Sequence, residues 1–383
     1  MNLNLVKFIS IINLICNEYV LWSNYNFEKI MKKFKLGKFT VGNDHPPIVI
    51  VELGINHNGN LDLAINMTDR AIDAGAEIIK HQTHIVDDEM SIEAKKIIPG
   101  NSKKNIFDII KSTCLDEKDE KKLMNHIRSR KKIFISTPFS RAAADRLGKF
   151  NIPAFKIGSG EVNNIPLVRH IAGFKKPIIL STGLSSMTEV EDTVTFIRSL
   201  NPFYEKKPNL VLMQCTSMYP IRNEDANLAV LKSFSSIGEI ILGYSDHTED
   251  MEALYASVIL GAEVLEFHFT DKREGKDFRD HKVSLVPSEV NKLNEKIRLF
   301  FKLLGDETKQ PLGIEIENGH VESFRRAVYL KCDIKKGMTI TKDMLVTLRP
   351  NEGISAWDID KVIGQVVKDD IEALTPLNLN MFD

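Results

Sequence analysis

From residue 47 onward, short apolar runs alternate with amphipathic stretches along the chain. The apolar runs are rich in Val, Ile, Leu and Phe and lie at residues 48–53, 77–82, 133–137, 154–157, 177–181, 210–215, 239–244 and 263–269. Stretches with an apolar residue every three or four positions separate them, at residues 61–74, 141–148, 188–200, 251–260 and 287–304. Nearly continuous apolar strands are typical of a parallel sheet covered by helices. Eight βα units therefore predict an α/β fold, a closed (β/α)8 TIM barrel, rather than an open doubly wound sheet.

The pattern changes outside this repeat. Residues 85–132 enlarge the second unit with predicted helices at 106–111 and 117–130, and insertions on this side of a barrel often help to build a site. After residue 305, a polar segment precedes short predicted strands at 327–330, 345–348 and 362–367. The sequence thus predicts an N-terminal extension (1–44), a barrel domain (45–305), a linker (306–323) and a small β-rich C-terminal domain (324–383).

The composition is that of an ordinary folded protein. Of 383 residues, 51 are Lys or Arg and 52 are Asp or Glu, so the net charge is −1 and argues against a nucleic-acid partner. The four cysteines form no close pair or metal-binding spacing, and no apolar run is long enough for a membrane span. We therefore expect a reduced, cytoplasmic protein without a membrane partner. The apolar stretch 8–16 resembles a secretory segment only faintly, because no cleavage site follows it, and Met31 offers an alternative start.

Polar residues follow or end nearly every predicted strand. They are Glu52 and Asn56; Lys80, Gln82 and His84; Ser136 and Thr137; Lys156, Ser159 and Glu161; Ser181 and Thr182; Gln214 and Thr216; Asp246 and His247; and Glu266, His268 and Thr270. One polar strand end can simply mark where the chain leaves the core. Eight such ends converge on the carboxyl-terminal face of a barrel, where barrel enzymes have their active sites.

Two histidines end neighbouring predicted strands. His247 and His268 could reach one ion, and two imidazoles with oxygen ligands suit Mn²⁺, Fe²⁺ or Zn²⁺. A structural role for both histidines is the simpler alternative, and the spacing alone leaves it open.

A second group is basic. Lys80 and Lys156, with Ser159 and Ser181, could bind a phosphate or a carboxylate. Ordinary salt bridges are an equally good interpretation of the lysines, and a Schiff base is a further one. Glu52 could act as a general base or support a metal-bound water.

These motifs together resemble the sialic acid (N-acetylneuraminate) synthase family. The resemblance is carried by ELGINHNG (52–59), KHQTH (80–84), STPF (136–139), FKIGSGE (155–161), STG (181–183), QCTSMYP (214–220), SDHT (245–248) and HFT (268–270). DIKKG (333–337) and LRP (348–350) resemble that family's antifreeze-like (SAF) domain. The resemblance extends from about residue 47 to the end of the sequence.

The resemblance implies a metal-dependent condensation of phosphoenolpyruvate with an N-acetylated hexosamine and water. The products would be a nonulosonic (sialic) acid and phosphate. N-acetylmannosamine is the first candidate acceptor, and a 2,4-diacetamido hexose leading to legionaminic or pseudaminic acid is the alternative. The implied cofactor is a divalent metal, with Mn²⁺ preferred and Mg²⁺ or Co²⁺ possible, and the implied assembly is a domain-swapped homodimer.

The resemblance also implies roles at matching positions. His247 and His268 would hold the metal, and Glu52 would assist the water. The residues implied for phosphoenolpyruvate are Lys80, Asn101, Thr137, Lys156, Ser159 and Ser181. Those implied for the sugar are Gln82, Tyr219, Asp280 and Arg349, the last reaching the partner subunit's site.

Three segments depart from the family pattern and leave the acceptor open. They are Asp277-Phe278-Arg279-Asp280-His281, Ser217 and Arg325-Arg326-Ala327. A Schiff-base aldolase using Lys80 or Lys156 and a non-catalytic sugar-binding protein remain as alternatives. The first would be indifferent to metal removal, and the second would bind a sugar without turnover.

Overall fold

The chain divides into two units, Met1–Gly305 and Asp306–Asp383. The computed structural model describes residues 32–42, 44–99, 104–205, 207–305 and 308–383. Asn101 and the apolar stretch 8–16 lie outside the described residues, so their predicted roles stay predictions.

A hairpin and a closed barrel form the first unit. Its strands are β1 (Lys33–Leu36), β2 (Phe39–Gly42), β3 (Ile48–Glu52), β4 (Ile78–Thr83), β5 (Ile133–Pro138), β6 (Phe155–Ile157), β7 (Ile178–Ser181), β8 (Leu210–Cys215), β9 (Ile241–Asp246), β10 (Val264–Phe269) and β11 (Ser284–Leu285). Strands β3 to β10 pair in sequence order, all parallel, and β10 pairs with both β9 and β3. This closure confirms the predicted (β/α)8 barrel.

Helices cover the outside of the barrel. They are α1 (Leu61–Asp73), α2 (Val86–Glu89), α3 (Ile106–Thr113), α4 (Glu117–Ser129), α5 (Arg141–Lys149), α6 (Ile165–Gly173), α7 (Met187–Leu200), α8 (Pro202–Glu205), α9 (Val230–Phe234), α10 (Glu252–Ile259) and α11 (Pro287–Leu304). Capping residues fix several starts, since Asn60, Ser140 and Asn164 each accept a backbone amide three residues later. Among the described helices, none combines the length and apolar character that crossing a membrane requires.

The amino-terminal end of the barrel is closed by the β1–β2 hairpin. Phe34, Leu36 and Val41 pack against the inward-facing Ile50 and Ile78 and are themselves buried. Residues 33–42 lie in the segment predicted as an N-terminal extension, and they contribute directly to the barrel core.

One predicted strand is displaced along the chain. The apolar run 239–244 predicts a strand that ends at Tyr244, whereas β9 ends at Asp246. Gly238, at φ +88°, turns the chain just before the strand and delays its start. Asp246 is therefore the last residue of the strand, and His247 follows it at the barrel mouth, the carboxyl-terminal end of the strands.

The second unit is small and mostly irregular. It contains α12 (Gly313–Glu317), α13 (His320–Ser323), and the antiparallel pair β12 (Ala327–Leu330) and β13 (Leu345–Leu348). The two short helices lie in the segment predicted as a linker, 306–323. The predicted strand 362–367 is wrong, because Gly364 at φ +89° turns the chain and only isolated bridges form at Val366 and Val367. Its apolar pattern reflects packing of Val362 and Val367 into the small core.

Candidate active site

Two lysines and two carboxylates meet inside the barrel mouth. Lys80 Nζ lies 2.7 Å from Glu52 Oε2 and 3.5 Å from Glu266 Oε1. Lys156 Nζ lies 3.2 Å from the same Glu266 oxygen. All four side chains are buried. Burial of these charges is tolerable because each cation contacts an anion.

Hydroxyl groups border the lysine pair. Thr137 Oγ1 accepts from Lys80 Nζ at 3.3 Å, and Ser181 Oγ accepts from Lys156 Nζ at 2.6 Å. Ser159 Oγ accepts the amide of residue 183 at 3.0 Å. The five described residues predicted to bind phosphoenolpyruvate therefore lie on adjoining strands β4 to β7 and the turns that follow them. Together they offer two cationic and three hydroxyl groups.

Burial and charge shift the lysines in opposite directions. Burial opposes the charged form of Lys80, but the carboxylates of Glu266 and Glu52 outweigh it and raise the pKa of Lys80. For Lys156 burial prevails over Glu266, and the pKa of Lys156 is lowered. Burial would raise the pKa of Glu266, but Lys156 and Lys80 hold that pKa below its usual value. The cluster thus keeps Glu266 ionised between the two amines.

The two predicted metal-binding histidines lie side by side. The ring centroids of His247 and His268 are 5.5 Å apart, and the Tyr219 ring lies 4.0 Å from that of His247. His247 Nδ1 donates to the Thr216 carbonyl at 2.7 Å, which leaves the Nε2 lone pair available. Burial and the neighbouring His247 lower the pKa of His268. A neutral imidazole is the form that binds a metal.

The histidine pair fits a divalent metal. Its spacing suits two imidazoles that share an ion at bond lengths of about 2.1 Å. The buried Nδ1 of His268 has no hydrogen-bond partner, and Asp280 Oδ2 lies 3.8 Å away from it. Within the described residues, no group of three or more His, Cys, Asp or Glu is arranged to hold a metal. A metal here would take two protein ligands and fill its other positions with water or substrate.

The predicted sugar contacts line a cavity beside the histidines. Gln82, Tyr219, His268 and Asp280 border this space of about 760 Å³. Gln82 Nε2 donates to Glu52 Oε1 at 2.7 Å, which links the cavity to the charge cluster. Burial raises the pKa of Asp280 to about 6. The cavity therefore offers amide, phenol and carboxyl groups next to the histidine pair.

The structure adds two site residues to those selected from the sequence. Glu266 was noted only as a polar strand end, yet it bridges both lysines; its position two residues before His268, on the same face of a strand, was the available signal. Arg279 lines the cavity with its guanidinium 5.3 Å from the Tyr219 ring centroid. Arg279 begins a short 3-10 helix, Arg279–His281, and the sequence pointed to it only as part of the segment 277–281 that departs from the family pattern.

Arg349 lies in the second unit. Its Nε donates to the Phe324 carbonyl at 2.9 Å, and its guanidinium lies 5.6 Å from the Phe324 ring centroid. The side chain is exposed. A role for Arg349 at the barrel mouth of another subunit stays a prediction.

Fold and site together define a class, a (β/α)8 barrel with a buried lysine pair beside a histidine pair at the carboxyl-terminal face, where barrel enzymes have their active sites. Comparison with known proteins gives the family. Residues 67–309 match the NeuB family and residues 325–383 match the SAF domain. The chain belongs to the NeuB family. It is an enzyme of the same type as its relatives, which are named as synthases.

Three of these relatives illustrate the similarity. The N,N'-diacetyllegionaminic acid synthase of Campylobacter jejuni is 35% identical, over 83% of this chain and 95% of that protein. The N-acetylneuraminate-9-phosphate synthase of Homo sapiens is 32% identical, over 85% and 90% respectively. The crystal structure of an N-acetylneuraminic acid synthetase from Leptospira borgpetersenii superposes with a TM-score of 0.68 at 29% identity, covering 76% of this chain and 96% of that one. The similarity thus includes both units of the chain.

Proposed function

We propose that the protein condenses phosphoenolpyruvate with an N-acetylated hexosamine and water, giving a nonulosonic acid and phosphate. The observation that carries this proposal is the buried pair Lys80 and Lys156 beside the pair His247 and His268. One pair suits a small polyanion, and the other suits a metal that meets a carbonyl group.

Phosphoenolpyruvate would bind to the lysines and hydroxyls of β4 to β7. Its carboxylate and phosphate can accept from Lys80, Lys156, Thr137 and Ser181, which already form one hydrogen-bonded surface. Glu266 holds both amines in position through its Oε1 atom before the substrate arrives. Preorganised donors of this kind need no rearrangement when charge develops.

The reaction joins carbon 3 of phosphoenolpyruvate to the aldehyde carbon of the open-chain sugar. Water adds to carbon 2, and the phosphate leaves from that carbon as the 2-keto group forms, while the former aldehyde oxygen takes up a proton. Glu52 is positioned to accept the proton of the water, because its carboxylate lies at the junction of the lysine cluster and the sugar cavity. The same Glu52 is oriented by Lys80 and Gln82.

We propose Mn²⁺ as the metal at His247 and His268, with Mg²⁺ or Co²⁺ as substitutes. When bound, such an ion polarises the aldehyde oxygen of the acceptor and makes its carbon more electrophilic. The chain itself supplies two imidazoles, and Tyr219 packs against the His247 ring. Asp280 stands beside His268 and can accept a sugar hydroxyl.

The acceptor is N-acetylmannosamine or a 2,4-diacetamido hexose. The second candidate is favoured by four further residues that line the cavity, Glu161, Asn163, Ile106 and Ile110. An extra acetamido group could donate its N–H to a carboxylate and pack its methyl group on isoleucine. The name of the Campylobacter relative, a diacetyllegionaminic acid synthase, is consistent with this choice.

The test is an incubation of the purified protein with phosphoenolpyruvate, Mn²⁺ and each acceptor in turn. We expect phosphate release only when both substrates and the metal are present, and a product mass that equals acceptor plus pyruvate. Release with only one acceptor identifies the physiological sugar class. No phosphate release with either acceptor would overturn the proposal.

A Schiff-base aldolase is separated by a second measurement. Lys156 is the better candidate for that chemistry, because its pKa is lowered chiefly by burial. We expect borohydride added during turnover to leave the enzyme active and its mass unchanged, and EDTA to stop phosphate release. Covalent trapping at Lys156 with activity retained in EDTA would support the aldolase instead.

A further inference from the structure

A chain of buried polar groups lies behind the active site and has no part in the reaction described above. His57 Nε2 lies 3.2 Å from His81 Nε2, and His81 Nδ1 lies 3.3 Å from Glu120 Oε1. All three side chains are buried. Glu120 belongs to α4 in the enlarged segment after β4, whereas His57 belongs to the loop between β3 and α1. These hydrogen bonds thus connect two segments of the polypeptide that are distant in sequence.

The donors and acceptors available in this hydrogen-bond chain fix the direction of donation, from His57 through His81 to Glu120. The Gly59 amide donates to His57 Nδ1 at 3.2 Å, so the His57 proton lies on Nε2 and is donated to His81 Nε2. His81 must then carry its own proton on Nδ1 and donate it to Glu120. A neutral His57 agrees with the pKa of this residue, which is lowered to about 3 chiefly by burial. Every ring nitrogen in the chain has a partner, and both imidazoles are held in one tautomer.

Glu120 terminates the chain as a firmly held carboxylate. Its Oε1 atom also accepts from the Thr83 hydroxyl, and its Oε2 atom lies 3.2 Å from Arg146 Nη1. Against burial, His81 and these donors lower the pKa of Glu120. The acceptor end is therefore ionised and fixed by β4 and α5.

The loop that carries His57, at the other end of the hydrogen-bond chain, also passes close to His268. The loop of residues 53–59 follows Glu52 directly and passes Gly54 close to the His268 ring. Gly54 has φ +55°, and a Cβ atom added to it would lie 3.2 Å from His268 Nδ1. Asn56 Nδ2 donates to the Phe269 carbonyl at 2.9 Å, which ties the same loop to the end of β10. This loop therefore packs against the His268 ring, and a shift of the loop would change the packing of that ring.

We propose that Glu120 is a positioning residue, which acts through His81 and His57 to hold the loop of residues 53–59 against His268. In this way the enlarged segment after β4, which lies outside the barrel, helps to position an active-site histidine. This inference rests on the proposed function for its kinetic test only, since the loop and the tautomers can be examined without turnover.

The kinetic test compares two variants at the Glu120 carboxylate, one that changes Glu120 itself and one that removes the partner of its Oε2 atom. Glu120→Gln removes the charge at the end of the hydrogen-bond chain. Arg146→Met removes the guanidinium that contacts Glu120 Oε2 and also lies 3.8 Å from Glu117 Oε2, and it leaves the His81 and Thr83 contacts to Oε1 in place. We expect kcat to fall about tenfold or more in Glu120→Gln, with the KM for phosphoenolpyruvate within about twofold, and a near wild-type kcat in Arg146→Met. Equal kcat in both variants would overturn the proposal.

Hydrogen–deuterium exchange measures the hold on the loop directly and does not depend on turnover. The peptide spanning residues 53–60 should exchange faster in Glu120→Gln and at the wild-type rate in Arg146→Met. If Glu120→Gln does not fold, His57→Gln serves in its place, because it breaks the loop end of the chain and leaves Glu120 with its other partners. Unchanged exchange in this peptide would count against the proposal.

The wild-type protein supplies a test that needs no variant. In protein labelled with ¹⁵N-histidine at pH 7, His57 should be neutral with its proton on Nε2, and His81 should carry a proton on Nδ1 that it donates to Glu120. The opposite tautomers, or a protonated His57, would overturn the directional chain. Absence of turnover in the wild type would remove the proposed function while leaving this result and the exchange result interpretable.

Discussion

At the residue scale, Lys80 and Lys156 occupy unequal environments although they share Glu266. Lys80 contacts two carboxylates, whereas Lys156 contacts one carboxylate and a serine hydroxyl. Lys156 is thus the amine whose charge depends more on an incoming anion. Its replacement isolates the contribution of substrate binding better than replacement of Lys80, which also holds Glu52.

Lys156→Met should weaken phosphoenolpyruvate binding. Loss of one charge-assisted hydrogen bond costs about 1.5–3 kcal/mol, which corresponds to a rise of about 10- to 150-fold in the KM for phosphoenolpyruvate. Steady-state phosphate release measures the effect. Lys132→Met is the matched control, because Lys132 pairs with Glu77 just ahead of β5, at the opposite end of the barrel. An unchanged KM in Lys156→Met would contradict the cradle.

His268→Ala should abolish turnover and reduce bound metal. The side chain faces the barrel mouth beside His247, so the substitution removes half of the protein ligands. Mn²⁺ retained after gel filtration, measured by elemental analysis, should fall together with phosphate release. His126→Ala is the control, since His126 pairs with Asp69 on the outer helices. Full activity of His268→Ala under limiting Mn²⁺ would show that the metal is held elsewhere.

His57 should make stability depend on pH. Its pKa is lowered from 6.5 to about 3, chiefly by burial. Below about pH 6.5 the unfolded chain binds a proton at His57, whereas the folded protein does not until about pH 3. The free energy of unfolding therefore falls as the pH falls from about 6.5 to about 3. The slope is about 1.4 kcal/mol per pH unit.

Replacement of the histidine removes this contribution. Urea unfolding of wild type and His57→Gln at pH 7.5 and pH 5.5 should show a smaller loss of stability in the variant. The His57 ring contacts the Gly59 amide, which does not titrate, and His81, which is titratable and is present in both proteins, so the difference between them reports on His57. A stability difference between the two proteins that stays constant with pH would contradict the buried neutral ring.

At the scale of elements, the β1–β2 hairpin acts as the floor of the barrel. A TIM barrel is filled by layers of inward-facing side chains, and its amino-terminal end needs apolar cover. Phe34, Leu36 and Val41 provide that cover from outside the eight strands. The hairpin is therefore part of the barrel's folding unit, far from the groups that carry the chemistry.

Leu36→Ala should lower stability without changing kcat. Leu36 is fully buried, and truncation of such a leucine costs about 2–5 kcal/mol through lost burial and a residual cavity. Leu303→Ala on α11 is the matched control, since that side chain is 70% exposed and should cost no more than about 0.5 kcal/mol. Urea unfolding followed by circular dichroism separates the two. Equal stability of the two variants would show that the hairpin is dispensable.

At the scale of the whole molecule, the second unit carries Arg349 on an exposed surface. We propose that the enzyme is a domain-swapped homodimer in which this arginine completes the sugar site of the partner subunit. A small domain of about 60 residues gains stability by docking on another surface. A guanidinium can meet the carbonyl of an N-acetyl group there.

Mixing two inactive variants tests this arrangement. A hybrid dimer of Lys156→Met and Arg349→Ala subunits contains one site with both wild-type residues if the C-terminal units are swapped, so random mixing should restore about a quarter of the sites. The control mixes Lys156→Met with Lys80→Met, whose lesions lie in the same unit and cannot complement. Hybrid dimers without restored phosphate release would rule out the swapped arrangement.

The order of strands and helices was readable from the sequence because each depends on local periodicity. The eight parallel strands are those that the apolar runs predicted, with most bounds shifted by no more than two residues. Helix starts were equally local, since residues such as Asn60 and Ser140 cap the turn that follows them. The convergence of polar strand ends followed from the geometry of a barrel, which brings every carboxyl end to one face.

Tertiary structure alone decided which of those polar groups touch. Glu266 bridges two lysines, and Glu120 reaches His57 through His81, because strand register and helix packing bring distant positions within hydrogen-bond distance. Tertiary structure also makes Val362 and Val367 core residues of an irregular segment. Their apolar character encodes burial, whereas the backbone path depends on the turn at Gly364 and on neighbouring surfaces. Periodicity is a property of neighbours along the chain, whereas these contacts depend on distances that exist only after the barrel has closed.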